Sequence, residues 1–281
     1  MRRFDPARRL MLCDSHCHLS MLDERGVSTE DLFSIRLKNS FSHLMDIGID
    51  CDDLPGRIKF RDLAAKNSIC LKFSAGVFPS KDSILHRKDC IQQLGKNIDF
   101  FKGTTGEAVA AVGECGIDHH WNDESLFRDE RDLFADQLDM ANGLSLPVIV
   151  HSRDGFKDTL DVIASVKSSQ KKRGVIHCFS YGIDEARAFL DEGFMISFSG
   201  AITYGGKAKN AVSSRLCNFI PEDMLLLETD SPFLAPQKFR GRVNSPDLIG
   251  EIYKFVASAR GIPLDQLEEV VIKNFKSLFC K

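Results

Sequence analysis

Short runs of apolar residues recur along the chain, and most are followed by a stretch long enough for a helix. Eight of the runs have the length of a buried β-strand, and spacers such as 55–66 carry hydrophobic residues at the spacing of an amphipathic helix. The run at 108–113 is almost wholly apolar, which indicates a parallel strand buried on both faces. The eight predicted strands are residues 10–18, 43–48, 69–73, 108–113, 146–150, 174–176, 194–198 and 224–227.

Strand and helix alternate eight times in 281 residues, which predicts a closed (β/α)8 barrel of the TIM type in the α/β class. An open doubly wound sheet is the competing fold. That fold usually carries a glycine-rich phosphate-binding turn after the first strand, whereas residues 14–20 contain histidines instead. The sequence contains no internal repeat, low-complexity segment or linker that would divide it. We therefore predict a single domain over residues 1–281.

Composition limits the partners and the compartment. The net charge is −3 and the pI about 6.2, so any nucleic acid would be contacted through local basic patches and metal ions. The nine cysteines form no C-x-x-C pair and several lie within apolar runs, which favours a reducing compartment. No segment has the apolar character of a signal peptide or a membrane span. We expect a cytoplasmic protein without a membrane partner.

Histidine and carboxylate side chains stand at the ends of five predicted strands. In a barrel the carboxyl ends of all strands meet on one face, so residues distant in sequence become neighbours there. The first strand contributes two imidazoles to the same side, because side chains alternate between faces along a strand. The six candidate metal ligands are His16, His18, Glu114, His151, His177 and Asp230.

Six such ligands predict a two-metal hydrolytic site. Imidazole and carboxylate together suit divalent zinc, manganese or magnesium, and six ligands are more than one tetrahedral zinc uses. Glu114 is expected to bridge two ions with one oxygen each, and Asp230 to accept a proton from an activated water. These two residues are the predicted catalytic carboxylates. The remaining assignment places His16, His18 and Asp230 on one ion, and His151 and His177 on the other.

Several residues beside the ligands have simpler expected roles. Asp14 and Glu228 share a face with the ligands, and we expect each to orient a ligand or a loop by hydrogen bonding. Strand alternation turns the neighbouring thiols away from the ligands and into the layer between strands and helices. We therefore expect core packing for Cys13, Cys17, Cys115 and Cys178.

Two basic features lie on the side where a substrate would bind. Arg153 shares a face with His151, and its guanidinium would either hold a substrate phosphate or pair with Asp118 or Asp154. The cluster 238–242, Lys-Phe-Arg-Gly-Arg, follows Asp230. It is either a solvated loop or a grip for a nucleic-acid backbone, with a phenylalanine available for stacking.

Five short motifs cover nearly the whole chain, namely Asp14-x-His16-x-His18, Gly113-Glu114-x-Gly116-x-Asp118, His151-x-Arg153, His177-Cys178-Phe179 and Glu228-Thr229-Asp230-x-Pro232. In this order they resemble the signatures of the TatD family of metal-dependent deoxyribonucleases, a branch of the amidohydrolase superfamily. The resemblance implies a TIM-type barrel and a divalent-metal centre at the six ligands. It also implies hydrolysis of DNA phosphodiester bonds, with single strands or 3′ ends as substrate.

The sequence departs from the family pattern at two positions. Gly76-Val77-Phe78-Pro79 stands where members usually have Gly-x-His-Pro, so a histidine near the metal face is replaced by Phe78. Asn244-Ser245-Pro246 stands where members tend to have Asn-Glu-Pro. The metal ligands are unaffected, but contacts to the substrate could differ from those of other members.

Two other functions remain open at this stage. The same metal centre could hydrolyse an acyl, amide or aminoacyl-tRNA substrate, because an activated water attacks carbonyl carbon as well as phosphorus. A metal-binding scaffold that holds nucleic acid without turnover is the third hypothesis, prompted by Phe78 and Ser245. Activity on acyl substrates alone would indicate the acyl hydrolase. Metal binding without any hydrolysis would indicate the scaffold.

Overall fold

The computed structural model describes residues 10–168 and 173–280, so both ends of the predicted 1–281 domain lie outside the described residues. Eight parallel strands form one sheet in the order β1 to β8, which confirms the predicted (β/α)8 barrel. The strands are β1 Leu12–Cys17, β2 Phe41–Asp46, β3 Cys70–Ala75, β4 Ala111–Asp118, β5 Val148–Arg153, β6 Gly174–Ile176, β7 Phe194–Phe198 and β8 Leu225–Leu227.

Helices follow the strands and form the outer layer, as the alternating pattern predicts. In the described part of the chain, α1 to α12 are Leu19–Glu24, Thr29–Asp31, Leu54–Arg57, Lys59–Lys66, Lys81–Leu85, Arg87–Thr105, Phe127–Leu144, Phe156–Ser165, Ile183–Asp191, Lys207–Phe219, Gly250–Arg260 and Leu264–Phe279. A π-helical stretch covers Leu32–Arg36, and short 3₁₀ helices cover Gly200–Thr203, Glu222–Met224, Gln237–Phe239 and Pro246–Leu248. None of the described helices combines the length and apolar character that a transmembrane span requires.

The barrel closes where the end of β1 meets the segment after β8. The backbone N–H of Asp230 donates to the carbonyl of His16 at 2.9 Å, and that of His18 donates to the carbonyl of Ser231 at 2.8 Å. Cys17 and Ser231 form a parallel bridge between the same segments. Closure therefore places the last candidate ligand in the sequence beside the first two.

One contiguous core fills the barrel and the space beneath the helices. All eight residues of β4 are buried, and the three residues of β8 are fully buried. A parallel strand covered by helices on one face and by the barrel interior on the other has this burial pattern. The core holds the strands in fixed positions, so side chains at their carboxyl ends share a rigid support.

The observed β4 extends further than the apolar pattern predicts. Residues 115–118 continue to pair with β5, so that Cys115 lies opposite Val150 and Asp118 opposite Arg153. Glu114 therefore lies inside a strand and not in the loop after it. The hydrophobic run ends before the strand does, because the last residues of β4 include polar groups of the site. A pattern of apolar residues does not identify these positions as part of a strand.

Candidate metal centre

Residues from five strand ends converge at the carboxyl end of the barrel. His16 and His18 direct their Nε2 atoms to within 3.2 Å of each other. The ring of His16 stacks on that of His177 with 4.0 Å between centroids. His151 lies on the far side of His177, with its Nδ1 3.2 Å from His177 Nε2. The histidines predicted from the sequence therefore share one cluster, in which His151 is the most exposed.

Glu114 lies between the two histidine pairs and directs one carboxylate oxygen at each. Its Oε2 is 3.2 Å from His16 Nε2 and 3.6 Å from His18 Nε2. Its Oε1 is 3.1 Å from His151 Nδ1 and 3.0 Å from His177 Nε2. Glu114 therefore contacts all four histidines of the cluster, with a different oxygen for each pair.

Asp230 completes the cluster on the side of the first strand. Its Oδ1 lies 3.6 Å from His16 Nε2 and 3.5 Å from His18 Nε2. The side chain is 12% exposed, whereas that of His16 is fully buried, so the Asp230 carboxylate reaches the mouth of the site. Asp230 is thus placed both to hold a metal and to meet a molecule that enters from solvent.

The donor set fits divalent metal ions. The ligand atoms form two groups, and within each group all of them lie within 4.8 Å of one another. One group comprises His16, His18 and Asp230, and the other comprises His16, Glu114 and His177. Several imidazole nitrogens face each other at 3.2 Å, where two lone pairs repel unless a proton or a cation lies between them. Buried carboxylates and histidines that converge in this way are characteristic ligands of zinc and similar ions.

The electrostatics of the cluster keep its carboxylate ionised. Burial alone would raise the pKa of Glu114, but His177, His151 and His16 outweigh it and hold that pKa well below its usual range. For His177, burial acts to lower the pKa, but Glu114 and Glu228 raise it well above its usual value. The site is therefore built to hold negative carboxylates against positive charge, which a divalent ion would supply.

Asp118 contacts the cluster in a way that the sequence analysis missed. Its Oδ2 lies 2.8 Å from His151 Nε2, the nitrogen that faces away from Glu114. The backbone N–H groups of His120 and Trp121 donate to its other oxygen at 3.0 and 3.2 Å. Asp118 follows Glu114 by four residues in the same strand, so both side chains point to the same face. This spacing could have predicted the contact from the sequence.

Asp14 and Glu228 contact residues that carry the candidate ligands. The Asp14 carboxylate accepts the N–H of His16 at 3.1 Å and the hydroxyl of Thr229 at 2.6 Å, and burial raises its pKa to about 7. Glu228 Oε1 accepts the N–H of Cys178 and lies 3.4 Å from His177 Nδ1. These contacts agree with the expected role of both residues in orienting ligands.

The cysteines beside the ligands turn towards the surrounding structure. Cys17 donates to the carbonyl of Met45 at 3.3 Å, and the Cys115 thiol lies 3.8 Å from the carbonyl of Ile149. The Cys178 sulfur contacts the Ser199 hydroxyl at 3.1 Å. None of these three thiols belongs to either of the two ligand groups at the strand ends, and neither does that of Cys13.

Aromatic side chains and guanidinium groups pair on both sides of the cluster. Arg153 is exposed, and its guanidinium lies 5.8 Å from the Trp121 ring centre, while Trp121 is 73% exposed. On the opposite side the Arg25 guanidinium lies 4.7 Å from the ring centre of Phe233. Phe233 also lies edge-on to His18, with 6.2 Å between ring centres. These pairs form a rim around the ligand cluster.

The two departures from the family pattern lie next to the site. The Phe78 ring approaches that of His151 edge-on, with 5.0 Å between centroids. Ser245 donates to Asp247 within its own loop, while the Asn244 amide donates to the carbonyls of Thr229 and Phe233 at 2.8 and 2.6 Å. Asn244 therefore secures the loop after Asp230 in this chain.

The basic cluster 238–242 begins within the 3₁₀ helix Gln237–Phe239 and continues into the loop after it. Arg240 packs over the Tyr204 ring at 4.7 Å, and Arg242 lies 5.9 Å from the Phe239 ring centre. Lys238 lies 3.4 Å from Glu251. Both arginines are exposed and carry no carboxylate partner among the ion pairs described, so their charge faces solvent.

Comparison with known proteins places the chain among metal-dependent hydrolases. A family profile described as TatD related DNase matches residues 13–280. YcfH of Escherichia coli K12, described as an uncharacterized metal-dependent hydrolase, is 32% identical over 271 residues, which is 96% of each chain. YabD of Bacillus subtilis has the same description and is 31% identical over 196 residues, 69% of this chain and 74% of YabD.

A solved structure shares the fold over almost its full length. The TatD homologue YjjV of Escherichia coli K12 superposes with a TM-score of 0.78 at 24% identity, covering 96% of this chain and 98% of YjjV. At this identity the superposition supports the barrel architecture alone. The metal-compatible geometry described above comes from the side chains of this chain.

Proposed function

The chain belongs to the family of TatD related DNases and is a metal-dependent hydrolase, and from this premise we propose that it cleaves phosphodiester bonds of DNA, releasing nucleotides from the 3′ end of single strands. We propose that two divalent ions, magnesium, manganese or zinc, are held by the six ligands His16, His18, Glu114, His151, His177 and Asp230. The unpaired cysteines and the family relationship favour a cytoplasmic setting.

The placement of Glu114 carries this proposal. Its two oxygens lie 3.2 Å from His16 Nε2 and 3.0 Å from His177 Nε2, so a single carboxylate serves two sets of histidine ligands. A purely structural carboxylate needs only one partner to offset the cost of its burial. A buried carboxylate that divides its oxygens between two imidazole groups matches the requirement of a two-ion centre.

The residues of the site have separate roles in the proposed reaction. Bound divalent ions supply Lewis acidity at a phosphoryl oxygen and make water a better nucleophile at neutral pH. Asp230 accepts the proton of the attacking water, since its carboxylate is the most exposed of the clustered acids and is held ionised. Burial acts to raise the pKa of Asp230, but His18, His16 and His177 lower it below the usual value. Arg153 holds the substrate phosphate through its guanidinium.

The rim supports a nucleic-acid substrate. Trp121 with Arg153 and Phe233 with Arg25 offer an aromatic face beside a guanidinium on each side of the cluster. Bases of a single strand stack on exposed aromatic rings, and guanidinium groups bind the adjacent phosphates. The exposed Arg242 supplies a further positive charge in the segment that follows Asp230. The net charge of −3 makes such local groups necessary for binding a polyanion.

Hydrolysis of a 3′-labelled single-stranded oligonucleotide tests the proposal. Metal-stripped protein is assayed after addition of magnesium, manganese or zinc, beside Glu114→Ala and Asp230→Asn. We expect one or more ions to restore nucleotide release from the wild type, and both variants to remain inactive. Release that survives in both variants would assign the activity to a contaminant.

The alternative substrate class is tested with the same preparations. The wild type, loaded with the ion that binds most tightly, is incubated with an ester, an amide and an aminoacyl-tRNA, and the hydrolysis of each is measured. Hydrolysis of an acyl substrate without any release from DNA would replace the deoxyribonuclease proposal while retaining the metal centre. Metal binding with no hydrolysis of either class would favour the scaffold hypothesis.

A further inference from the structure

A second cluster of metal-binding side chains lies at the opposite end of the barrel. His43 is in the first half of β2, Cys70 is the first residue of β3, and the two are paired in register. Cys280 follows the last residue of α12. Cys70 lies five residues before the carboxyl end of its strand, which at about 3.3 Å per residue is roughly 16 Å from that end. This cluster is therefore separate from the centre around Glu114.

The three side chains are close enough to share one ion. One imidazole nitrogen and the two sulfur atoms all lie within 4.8 Å of one another. Tetrahedral zinc with Zn–S of about 2.3 Å and Zn–N of about 2.0 Å holds its ligand atoms roughly 3.5 to 3.8 Å apart. A contraction of about 1.3 Å at most, within the range of side-chain rotation, would close this site.

A neighbouring hydroxyl holds one side of the His43 ring. Its Nδ1 lies 2.8 Å from the Ser42 oxygen, which in turn lies 3.2 Å from the carbonyls of Met11 and Leu12. Metal-bound histidines are held by the same kind of contact through the ring nitrogen that does not bind the ion.

The two sulfur atoms face each other, because the Cys70 and Cys280 thiols form a hydrogen bond. Two thiolates and a divalent ion form a neutral group, so the ion would add no net charge beside Lys72 and Lys276.

The surroundings of the cluster fit a structural ion that remains accessible. Phe275 of α12 packs on the His43 ring with 5.3 Å between centroids. Cys280 is exposed, so solvent can supply a fourth ligand. A cavity of about 290 Å³, lined in part by Lys72 and Phe279, opens beside the same strand and helix. An ion here would tie the C-terminal helix to β2 and β3.

We propose that His43, Cys70 and Cys280 form a second metal site that binds one thiophilic divalent cation, with zinc as the expected ion. The ligand set differs in kind from that of the first centre, which offers only nitrogen and oxygen. Thiolate and imidazole select zinc or cobalt over magnesium and manganese. The site would be structural, since no described group beside it resembles the paired carboxylates of the first centre.

Cobalt spectroscopy separates this site from the first centre. The reduced protein is titrated with Co²⁺, and the sulfur-to-cobalt charge-transfer absorption is followed. Only a site with thiolate ligands gives this band, so Glu114→Ala should retain it. Cys280→Ser, which changes an exposed residue at the end of the chain, should lose the band and should bind one zinc fewer per chain by equilibrium dialysis. DNA hydrolysis by Cys280→Ser should equal that of the wild type.

A matched control comes from another pair of thiols in the same chain. Cys51 and Cys90 also hydrogen-bond to each other, yet they belong to none of the metal-compatible groups found among the described residues. Cys51→Ser with Cys90→Ser should keep the cobalt band and the zinc stoichiometry of the wild type. A band that persists in Cys280→Ser, or that is absent from the wild type, would overturn the proposal. Isolation of the protein with Cys70 and Cys280 joined in a disulfide and no extra zinc would also overturn it.

Discussion

Asp118 Oδ2 lies 2.8 Å from His151 Nε2, on the side of the imidazole ring opposite Glu114. The ring is therefore held between two carboxylates, one at each nitrogen. Of the two, Glu114 also contacts the imidazole rings of His16, His18 and His177. The Asp118 contact fixes the orientation of the His151 ring and makes Nδ1 the nitrogen that faces the candidate metal centre. Orienting contacts of this kind raise the basicity of a histidine ligand.

Removal of this contact should weaken metal binding. In Asp118→Ala we expect the affinity for Mn²⁺ at the first centre to fall about 10- to 100-fold, because His151 loses both its orientation and a negative partner. Competition with a chromophoric chelator measures the change. Asp118→Asn, which retains an acceptor oxygen, should lie between Asp118→Ala and the wild type. Asp123→Asn, in the exposed loop that follows, is the control. An orienting role would be excluded if Asp118→Ala and this control bound Mn²⁺ with equal affinity.

Replacement of the shared carboxylate should abolish function without unfolding the barrel. Glu114→Gln keeps the shape of the side chain but removes the charge that faces both histidine pairs. We expect kcat/KM on single-stranded DNA to fall at least about 100-fold, which corresponds to roughly 3 kcal/mol of lost transition-state stabilisation. Metal content by mass spectrometry should fall in the same variant. Glu107→Gln is the control at an exposed position, and full metal occupancy in Glu114→Gln would contradict a bridging role.

The first centre should contribute to stability only when metal is present. A ligand that binds the folded state alone, at 100 times its Kd, stabilises by about 2.7 kcal/mol, which raises Tm of a chain of this size by roughly 5 °C or more. We expect a chelator to lower Tm of the Mn²⁺-loaded wild type by this amount. Manganese is chosen because Mn²⁺ binds thiolate ligands weakly, so His43, Cys70 and Cys280 should not contribute. Tm of Glu114→Ala should be insensitive to both manganese and chelator.

Phe78 offers a test of substrate contact at the departure from the family pattern. Its ring lies 5.0 Å from that of His151, so Phe78→His would place an imidazole next to the first centre. We expect kcat/KM on DNA to rise about tenfold, the effect of one added hydrogen bond to a charged phosphate. Phe78→Leu, which adds no donor, should show no rise. A decrease in Phe78→His would contradict this expectation and would indicate that the apolar phenyl ring is required beside His151.

His43 should make the metal-free protein sensitive to acid. Burial, with smaller effects of Lys276 and Lys72, lowers its pKa to about 4. The unfolded chain, with a histidine pKa of about 6.5, therefore binds a proton more readily than the folded chain between pH 6.5 and 4. The free energy of unfolding should fall as the pH falls through this window, and the loss should be complete below about pH 4.

Urea denaturation at pH 7 and pH 5 in the presence of a chelator measures this effect. In His43→Gln the decrease between the two pH values should be smaller than in the wild type. His86→Gln is the control, because the His86 side chain is exposed and its imidazole lies beside Asp82. Equal decreases in His43→Gln and the wild type would show that His43 is not the group responsible.

The eight-fold alternation of strands and helices could be predicted from the sequence because it is a local property. The runs at Gly174–Ile176 and Phe194–Phe198 match the observed strands residue for residue. Helix boundaries were less well predicted. The spacer 55–66 contains parts of two helices, since α3 ends at Arg57 and α4 begins at Lys59. The hydrophobic pattern continues across this junction, so it could not show the break.

The candidate ligands could be named in advance because a barrel obliges strand ends to meet. Given the fold, the polar residue that ends each apolar run must lie on the same face as the others. The sequence could not give the distances that show whether a carboxylate contacts one set of histidines or two. That Glu114 directs one oxygen at His16 and the other at His177 depends on how β4 is placed against β1 and β6.

The second cluster had no signal in the sequence at all. His43, Cys70 and Cys280 are separated by 27 and 210 residues and belong to no common motif. They meet because β2 pairs with β3 in one particular register and because α12 packs against β1 and β8. The sequence by itself determined the order of elements and the chemistry available at each strand end, since both follow from local patterns of polarity. The tertiary structure alone decided which distant side chains touch, because register and helix packing depend on the whole core.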